Sequence, residues 1–328
     1  MTDAPPPEAV LWGLMKGAMA TQALHVACRF GVADRLVAGP RPVADVAAES
    51  GADADALYRF LRALATEGVF AEEEPRVFSN TRASELLRTD GGERWHEFSL
   101  QFGDDWYRAF AEAPHAARTG AATFPLVFGA SFEERLAADP ERLALFNRSM
   151  EAGASERISR IAELPWDAEL VVDVGGGTGA MLAELLDRHP RIRGVLLDLP
   201  EVADEAKRRF AERGLAARTT VVGGSFFDGV PAGDAYVLAR ILHGCDDEGA
   251  TTVLRNIRRA ARSRARVLVL DAVLPEGNEP HGNKWLDLLM LVLSGGRERD
   301  EAEWRYLLMD AGLRPVRVED GLVEASVD

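Results

Sequence analysis

Three groups of residues in this sequence have types and spacing that can do chemistry. The first is a glycine run. An apolar stretch, Leu170-Val171-Val172, passes through Asp173-Val174 into Gly175-Gly176-Gly177-Thr178-Gly179. Glycines between a strand and a helix let the chain turn tightly and bring backbone N–H groups up to a ligand at the helix N-terminus. Gly175, Gly177 and Ala180 fit the spacing of a dinucleotide fingerprint, and Asp198 follows at the next predicted strand end, where a carboxylate can accept from ribose hydroxyls. Loop, strand and downstream acid together point to an adenosine-containing ligand. Two such ligands compete. A dinucleotide would bring a pyrophosphate to the loop, and Asp173 beside the glycines would repel it. S-adenosylmethionine would bring a cation, which an acid there suits.

The second group centres on His243, which follows an apolar strand predicted over residues 235–242. Ligands of open α/β sheets sit at the carboxyl ends of strands. Histidine is the side chain suited to taking a proton near neutral pH, as the attack of a phenol or alcohol requires. Asp271 closes another strand, predicted over 265–271, and so lies at a carboxyl end too. Glu298 sits in the loop Gly295-Gly296-Arg297-Glu298-Arg299. The third group is Cys245, two residues past His243, which raises the possibility of a Cys–His nucleophile. Nothing else in the chain supplies the oxyanion donors or third member that such a site needs.

The elements that must position these residues come in two kinds. Residues 1–160 read as mostly helical. Apolar residues recur at helical spacing over 9–37, almost all round, which predicts burial, against a partner chain among other surfaces. A helix over 42–50, a second opened by Asp53 and Asp55 and running to Thr66, and a hairpin over 69–79 give the outline of a winged helix. Residues 91–130 are rich in aromatics, expected to pack against one another. Residues 131–164 are helical again. From 166 the pattern alternates: strands at 169–174, 194–198, 219–222, 235–242 and 265–271, helices at 181–188, 202–213, 247–262, 284–293 and 300–311, and an extended end at 314–319. This predicts an α/β fold with a Rossmann-like, doubly wound, mostly parallel sheet behind an N-terminal helical domain, divided at 1–160 and 161–328.

Charge excludes several functions. Lys and Arg number 38 against 53 Asp and Glu, a formal net of -15. Such a chain repels nucleic acid and anionic lipid. The winged-helix outline adds no DNA-binding signal, since residues 1–90 hold 9 basic and 13 acidic residues and the would-be reading helix opens on two aspartates. Cys28 and Cys245 are the two cysteines: neither a disulfide framework nor a zinc set. No apolar run is long enough to span a bilayer. Met1 to Glu8 is proline-rich and acidic, unlike a secretion signal, so a soluble, cytoplasmic protein is expected.

These stretches, with Asp198-Leu199-Pro200, Gly223-Gly224-Ser225-Phe226-Phe227 and Leu242-His243 followed by Asp246-Asp247-Glu248, resemble the small-molecule O-methyltransferases of plant caffeate type and their bacterial polyketide-tailoring relatives. The likeness runs over nearly the whole chain. It implies a class I methyltransferase fold with a helical dimerisation domain, working as a homodimer, and S-adenosylmethionine as methyl donor to a hydroxyl of a small aromatic or polyketide-like acceptor, without a metal. It makes His243 the general base, flanked by Asp271 and Glu298. It assigns Asp173, Gly175, Gly177, Asp198, Leu199, Ser225, Phe226, Phe227 and Arg240 to the cofactor. It assigns Phe146, Asn147, Met150, Met290 and Leu291 to the acceptor pocket, with Trp12 and Met15 as a partner chain's contribution. The chain departs from the family at Gly244 and Cys245, where aspartate and tryptophan are common, at Ser225, which replaces an aspartate, at Asp271, which replaces a glutamate, and at Ala239, where plant members carry lysine. Loss of the tryptophan leaves open an alternative: a methyltransferase-fold enzyme that binds S-adenosylmethionine but catalyses hydroxylation or decarboxylation.

Overall fold

The computed structural model describes residues 5–328 apart from 92, 153 and the side chain of Glu156; the first residues of the proline-rich start, 1–4, lie outside the described residues. The chain divides into two compact units, residues 1–108 with 139–154, and residues 109–138 with 155–328.

In the first unit the helix Pro7–Arg29 leads into Val43–Ser50 and Ala54–Ala65 and the antiparallel strands Phe70–Glu74 and Val77–Asn80. Asp53 caps Ala54–Ala65, accepting from the backbone N–H groups of Asp55 and Ala56. Such a cap contributes about 1 kcal/mol. The two aspartates that open this helix are therefore a cap and a first-turn acid, both at home at the positive end of the helix dipole. Ala27, Val32, Leu36, Leu57, Leu61, Phe70 and Phe78 form one core. Within one protomer the first helix is buried toward its carboxyl end. Ala23, Ala27 and Cys28 are buried, whereas Val10, Leu11, Trp12, Leu14, Met15 and Met19 are exposed on the protomer. Trp95, Phe98, Phe102 and Trp106 stack edge to face or tilted, as core aromatics do.

The second unit is built on a seven-stranded sheet. Leu170–Val174 lies at its centre, flanked on one side by Arg193–Asp198 and Thr219–Gly223 and on the other by Ala235–Ala239 and Arg266–Leu270, all parallel. Leu322–Ser326 then pairs antiparallel with Arg266–Leu270, and Arg314–Glu319 pairs antiparallel with Leu322–Ser326 at the edge. Side chains of each central strand alternate between two cores. Val172 and Val174 point into one with Leu254, Ile257 and Trp304; Val171 points into the other with Leu182, Leu186 and Phe210. Burial on both faces is why these strands read as continuous apolar runs.

Two expectations are corrected here. The strand predicted over 235–242 ends at Ala239. Arg240 adopts a left-handed backbone, φ 57°, which breaks the ladder, and Leu242–Gly244 forms one 3-10 turn. The chain also does not end on a single extended segment: Gly321, φ 71°, turns it back into Leu322–Ser326. No helix of the described residues is long and apolar enough to cross a membrane.

Candidate active site

The site lies at the carboxyl ends of the parallel strands. Gly175, Gly177 and Gly179 all have positive φ, the conformation that glycine enters without steric cost. A side chain at Gly176 would stand 2.6 Å from the carboxylate of Asp173. Backbone and carboxylate are thus in direct contact across the loop. Asp173 is 1 % exposed, and neither of its oxygens has a hydrogen-bond partner among the described residues. Burial, and then the charge of Asp198, pushes its pKa up to about 8. The acid beside the glycines is therefore largely protonated at neutral pH unless a cation sits next to it, which qualifies the reading of Asp173 as a standing negative charge.

Asp198 accepts from the N–H of Gly177 at 2.7 Å and of Leu199 at 2.7 Å, one bond to each oxygen. It joins the glycine loop to the next strand end before any ligand is considered. A carboxylate offers about four acceptor positions, so lone pairs remain for two hydroxyls. Burial raises its pKa, and the two N–H bonds oppose this. An orphaned buried carboxyl, a cradle with no room for Cβ and an acid with spare acceptors fit a nucleoside bearing a cationic amino-acid end. Ser225 accepts from the N–H of Phe227, and the rings of Phe226 and Phe227 lie 4.8 Å apart. Asn256 fixes this loop by donating to the carbonyls of both phenylalanines at 2.8 Å. Sequence reasoning missed Asn256; its signal was an amide on the otherwise apolar inner face of a helix. Leu199 and Phe227 remain exposed, Phe226 is half-buried, and Arg240 lies half-buried at the break in the strand.

His243 sits on the 3-10 turn, 7 % exposed. Its Nδ1 lies 2.9 Å from Glu298 Oε1, so this nitrogen carries the proton and donates it to the carboxylate. Nε2, with no partner among the described residues, keeps its lone pair. The two acids expected to flank the imidazole divide the work differently. Glu298 takes the ring, while Asp271 accepts from the backbone N–H of His243 at 3.2 Å and so anchors the turn. Both acids are almost fully buried. Burial raises the Asp271 pKa, His243 opposes this, and the Glu298 charge adds to it. Ile241, in the segment leading into the turn, also touches the glycine loop: a Cβ on Gly175 would overlap its side chain. The segment that carries His243 and the glycine loop therefore share one wall.

The Gly295–Arg299 loop locks this turn from three sides. Glu298 holds the imidazole, and its own N–H donates to Asp287 at 2.8 Å. Arg299, fully buried, donates to the carbonyls of Leu242 at 3.0 Å and Cys245 at 3.1 Å, on either side of His243, and pairs with Asp247. Gly296 packs directly on the His243 carbonyl and the Gly244 backbone, where any Cβ would overlap. Gly296→Ala should therefore cost roughly 1–3 kcal/mol of stability by overpacking and up to about a hundredfold in turnover by displacing His243. Denaturant unfolding and steady-state kinetics check this; wild-type values for both would show that the loop gives way freely. Arg299 and Asp287 were not foreseen, because their partners are backbone groups that residue types do not reveal.

Burial pushes the Cys245 thiol up to about 11. The arrangement makes a poor thiolate, so the Cys–His nucleophile fails on chemistry. Met290 and Leu291 are half-buried on Asn283–Leu293, whose following residue Ser294 donates to the Gly244 carbonyl at 2.8 Å. Phe146, Asn147 and Met150 are half-buried on Pro140–Met150 in the first unit.

Residues 107–314 match the family of O-methyltransferase domains, and residues 12–90 match the O-methyltransferase dimerisation domain. The chain is 39% identical over 319 residues to the phenazine O-methyltransferase of Lysobacter antibioticus, covering 96% of this chain and 93% of that one. It is 40% identical over 297 residues to a 2,7-dihydroxy-5-methyl-1-naphthoate 7-O-methyltransferase of Streptomyces carzinostaticus, covering 89% and 88%. Among solved structures it is similar to an O-methyltransferase of neocarzinostatin biosynthesis in complex with S-adenosyl-L-homocysteine and 1,4-dihydroxy-2-naphthoic acid, with TM-score 0.82, 36% identity and coverage of 94% and 96%. It is also similar to human N-acetylserotonin methyltransferase in complex with S-adenosylmethionine, with TM-score 0.87, 26% identity and coverage of 99% of each chain.

Proposed function

The chain belongs to the O-methyltransferase family and uses S-adenosylmethionine, and from that premise we propose that its acceptor is a phenolic hydroxyl of a small aromatic natural product, with His243 as general base. The observation that carries this is the buried pair of His243 Nδ1 and Glu298 at 2.9 Å, which leaves Nε2 to accept a proton. The relatives named for phenazine and naphthoate methylation support an aromatic acceptor.

In this reading the cofactor supplies an activated methyl group on a sulfonium. The chain supplies alignment and proton transfer. Nε2 takes the phenolic proton as the oxygen attacks, and Glu298 stabilises the imidazolium that forms, as a carboxylate behind a catalytic histidine does. Asp271 keeps the turn in place through its backbone. Asp173, Gly175, Gly177, Asp198, Leu199, Ser225, Phe226, Phe227 and Arg240 hold the cofactor; Met290 and Leu291 face the acceptor.

The exposed apolar stretch Val10 to Met19 belongs to a homodimer interface in this reading. The test is incubation with isotopically labelled cofactor and a panel of hydroxylated phenazines, naphthoates and benzoates. We expect one labelled methyl on a phenolic oxygen by mass spectrometry. The same preparation should sediment as a dimer whose interface buries more than about 2,000 Å². Products altered without gaining the label, or an active monomer, would overturn the corresponding part.

A further inference from the structure

One carboxylate away from the reacting groups holds both chain neighbours of Glu298. Asp247 opens the helix Asp247–Ala260. Its Oδ2 accepts from Arg297 Nη1 at 3.1 Å, and its Oδ1 accepts from Arg299 Nε at 3.0 Å and lies 2.9 Å from Arg299 Nη2. An ion pair at the surface contributes little, and the Asp247 side chain is 60 % exposed. The other partner changes the balance. The Arg299 side chain is fully buried, and a guanidinium out of water needs a counter-charge and acceptors for its N–H groups.

Each nitrogen of Arg299 is engaged. Nη1 donates to the carbonyls of Leu242 at 3.0 Å and Arg297 at 3.2 Å, Nη2 to the carbonyl of Cys245 at 3.1 Å, and Nε to Asp247. The three carbonyls are neutral, so Asp247 supplies the charge. Arg297, more exposed, also pairs with Glu303. Asp247 is itself fixed. Asp246 caps the helix by accepting from the Gly249 N–H at 2.8 Å, and Ala250, Val253, Leu254 and Ile257 bury the following turns in the core. An acid in the first turn also suits the helix dipole.

The contacts therefore run outward from a packed helix. Asp247 grips the residues on either side of Glu298, and through Arg299 it reaches the carbonyls that flank His243. The imidazole and the carboxylate that meet at 2.9 Å are both held by way of one aspartate. We propose that Asp247 is a positioning residue for the His243–Glu298 pair, acting through Arg299 and Arg297. The proposal rests on His243 as general base.

The experiment is a double-mutant cycle on the full chain. It reads turnover, on whichever phenol of the panel wild type methylates, and affinity for S-adenosylhomocysteine. Asp247→Asn should cut turnover roughly ten- to hundredfold, the scale of a reacting group displaced by about an ångström. It should leave S-adenosylhomocysteine within about twofold of wild type, which also reports a folded variant. Asp247→Glu should recover part of the turnover, and Arg297→Gln, which opens only the more exposed arm, should lose less. In a His243→Ala background the Asp247→Asn change should cost almost nothing, because a positioning residue has no effect once the group it positions is gone. Equal losses in both backgrounds would make Asp247 a general structural residue and overturn the proposal while leaving His243 its role. His243→Ala at the wild-type rate would overturn the base reading and the proposal with it. If Asp247→Asn fails to bind S-adenosylhomocysteine, the cycle is read with Arg297→Gln, where additive losses again overturn the proposal.

Discussion

Replacing His243 with alanine should cut turnover by roughly 10²–10⁴-fold, the range that a positioned general base contributes, and leave cofactor affinity close to wild type. The turn is held by Arg299 on the carbonyls of Leu242 and Cys245, by Asp271 on a backbone N–H and by Gly296 packed beneath it. None of these contacts uses the imidazole, so the alanine variant keeps the turn, although the buried Glu298 loses its partner on the ring. Activity of the variant should return toward the ionisation of the phenol itself, near about 10. Glu298→Gln and Asp271→Asn should each cost less, because they orient the base and do not take the proton. If transfer to an already ionised acceptor sufficed, the alanine variant would keep the wild-type rate and profile, and the assignment would be withdrawn.

Asp198→Ala should weaken S-adenosylhomocysteine roughly a hundredfold by calorimetry. Charge-assisted hydrogen bonds are worth about 1.5–3 kcal/mol, and in the proposed reading this carboxylate serves the protein as well as the ligand. Its removal strips the N–H groups of Gly177 and Leu199 of their acceptor. The glycine loop then loses its tie to the neighbouring strand end, and the cradle loosens along with the ribose contact. Asp198→Asn separates the two effects: its amide oxygen can replace one of the two acceptors, so its loss should be smaller. The pH dependence has a definite sign. Burial raises the Asp198 pKa, and the ionised form is the better acceptor. Affinity should therefore fall as pH drops, and begin to fall above the ordinary carboxylate range. A variant that binds within threefold of wild type, about 0.7 kcal/mol, would show that the ribose is held elsewhere.

Much of this molecule was legible without coordinates. The central strand and its glycine loop declared themselves because a strand buried on both faces must be apolar throughout and a tight turn at a ligand needs glycine. Asp53 was legible as a helix start because capping is local chemistry between residues two or three apart. His243 could be placed at a strand end by pattern, and the resemblance supplied its partners. Wherever the deciding interaction spans a few residues, residue types and spacing carry it.

What only the tertiary structure decided is of the other kind. That the strand stops at Ala239 follows from the backbone angle of Arg240, which its identity does not dictate. That Glu298 rather than Asp271 meets the imidazole depends on a loop 55 residues away being pressed onto the turn by Gly296 and Arg299. The final strand, Leu322–Ser326, gains its identity by inserting between Arg266–Leu270 and Arg314–Glu319. Its hydrogen bonds exist only once those neighbours are in place. The raised pKa of Asp173 is a product of its burial and of the charge of Asp198. The sequence by itself determined the elements and the kinds of chemistry available. Packing determined which polar groups lost their water and which met a partner, because desolvation and hydrogen bonding are properties of an enclosed space and not of a residue in the chain.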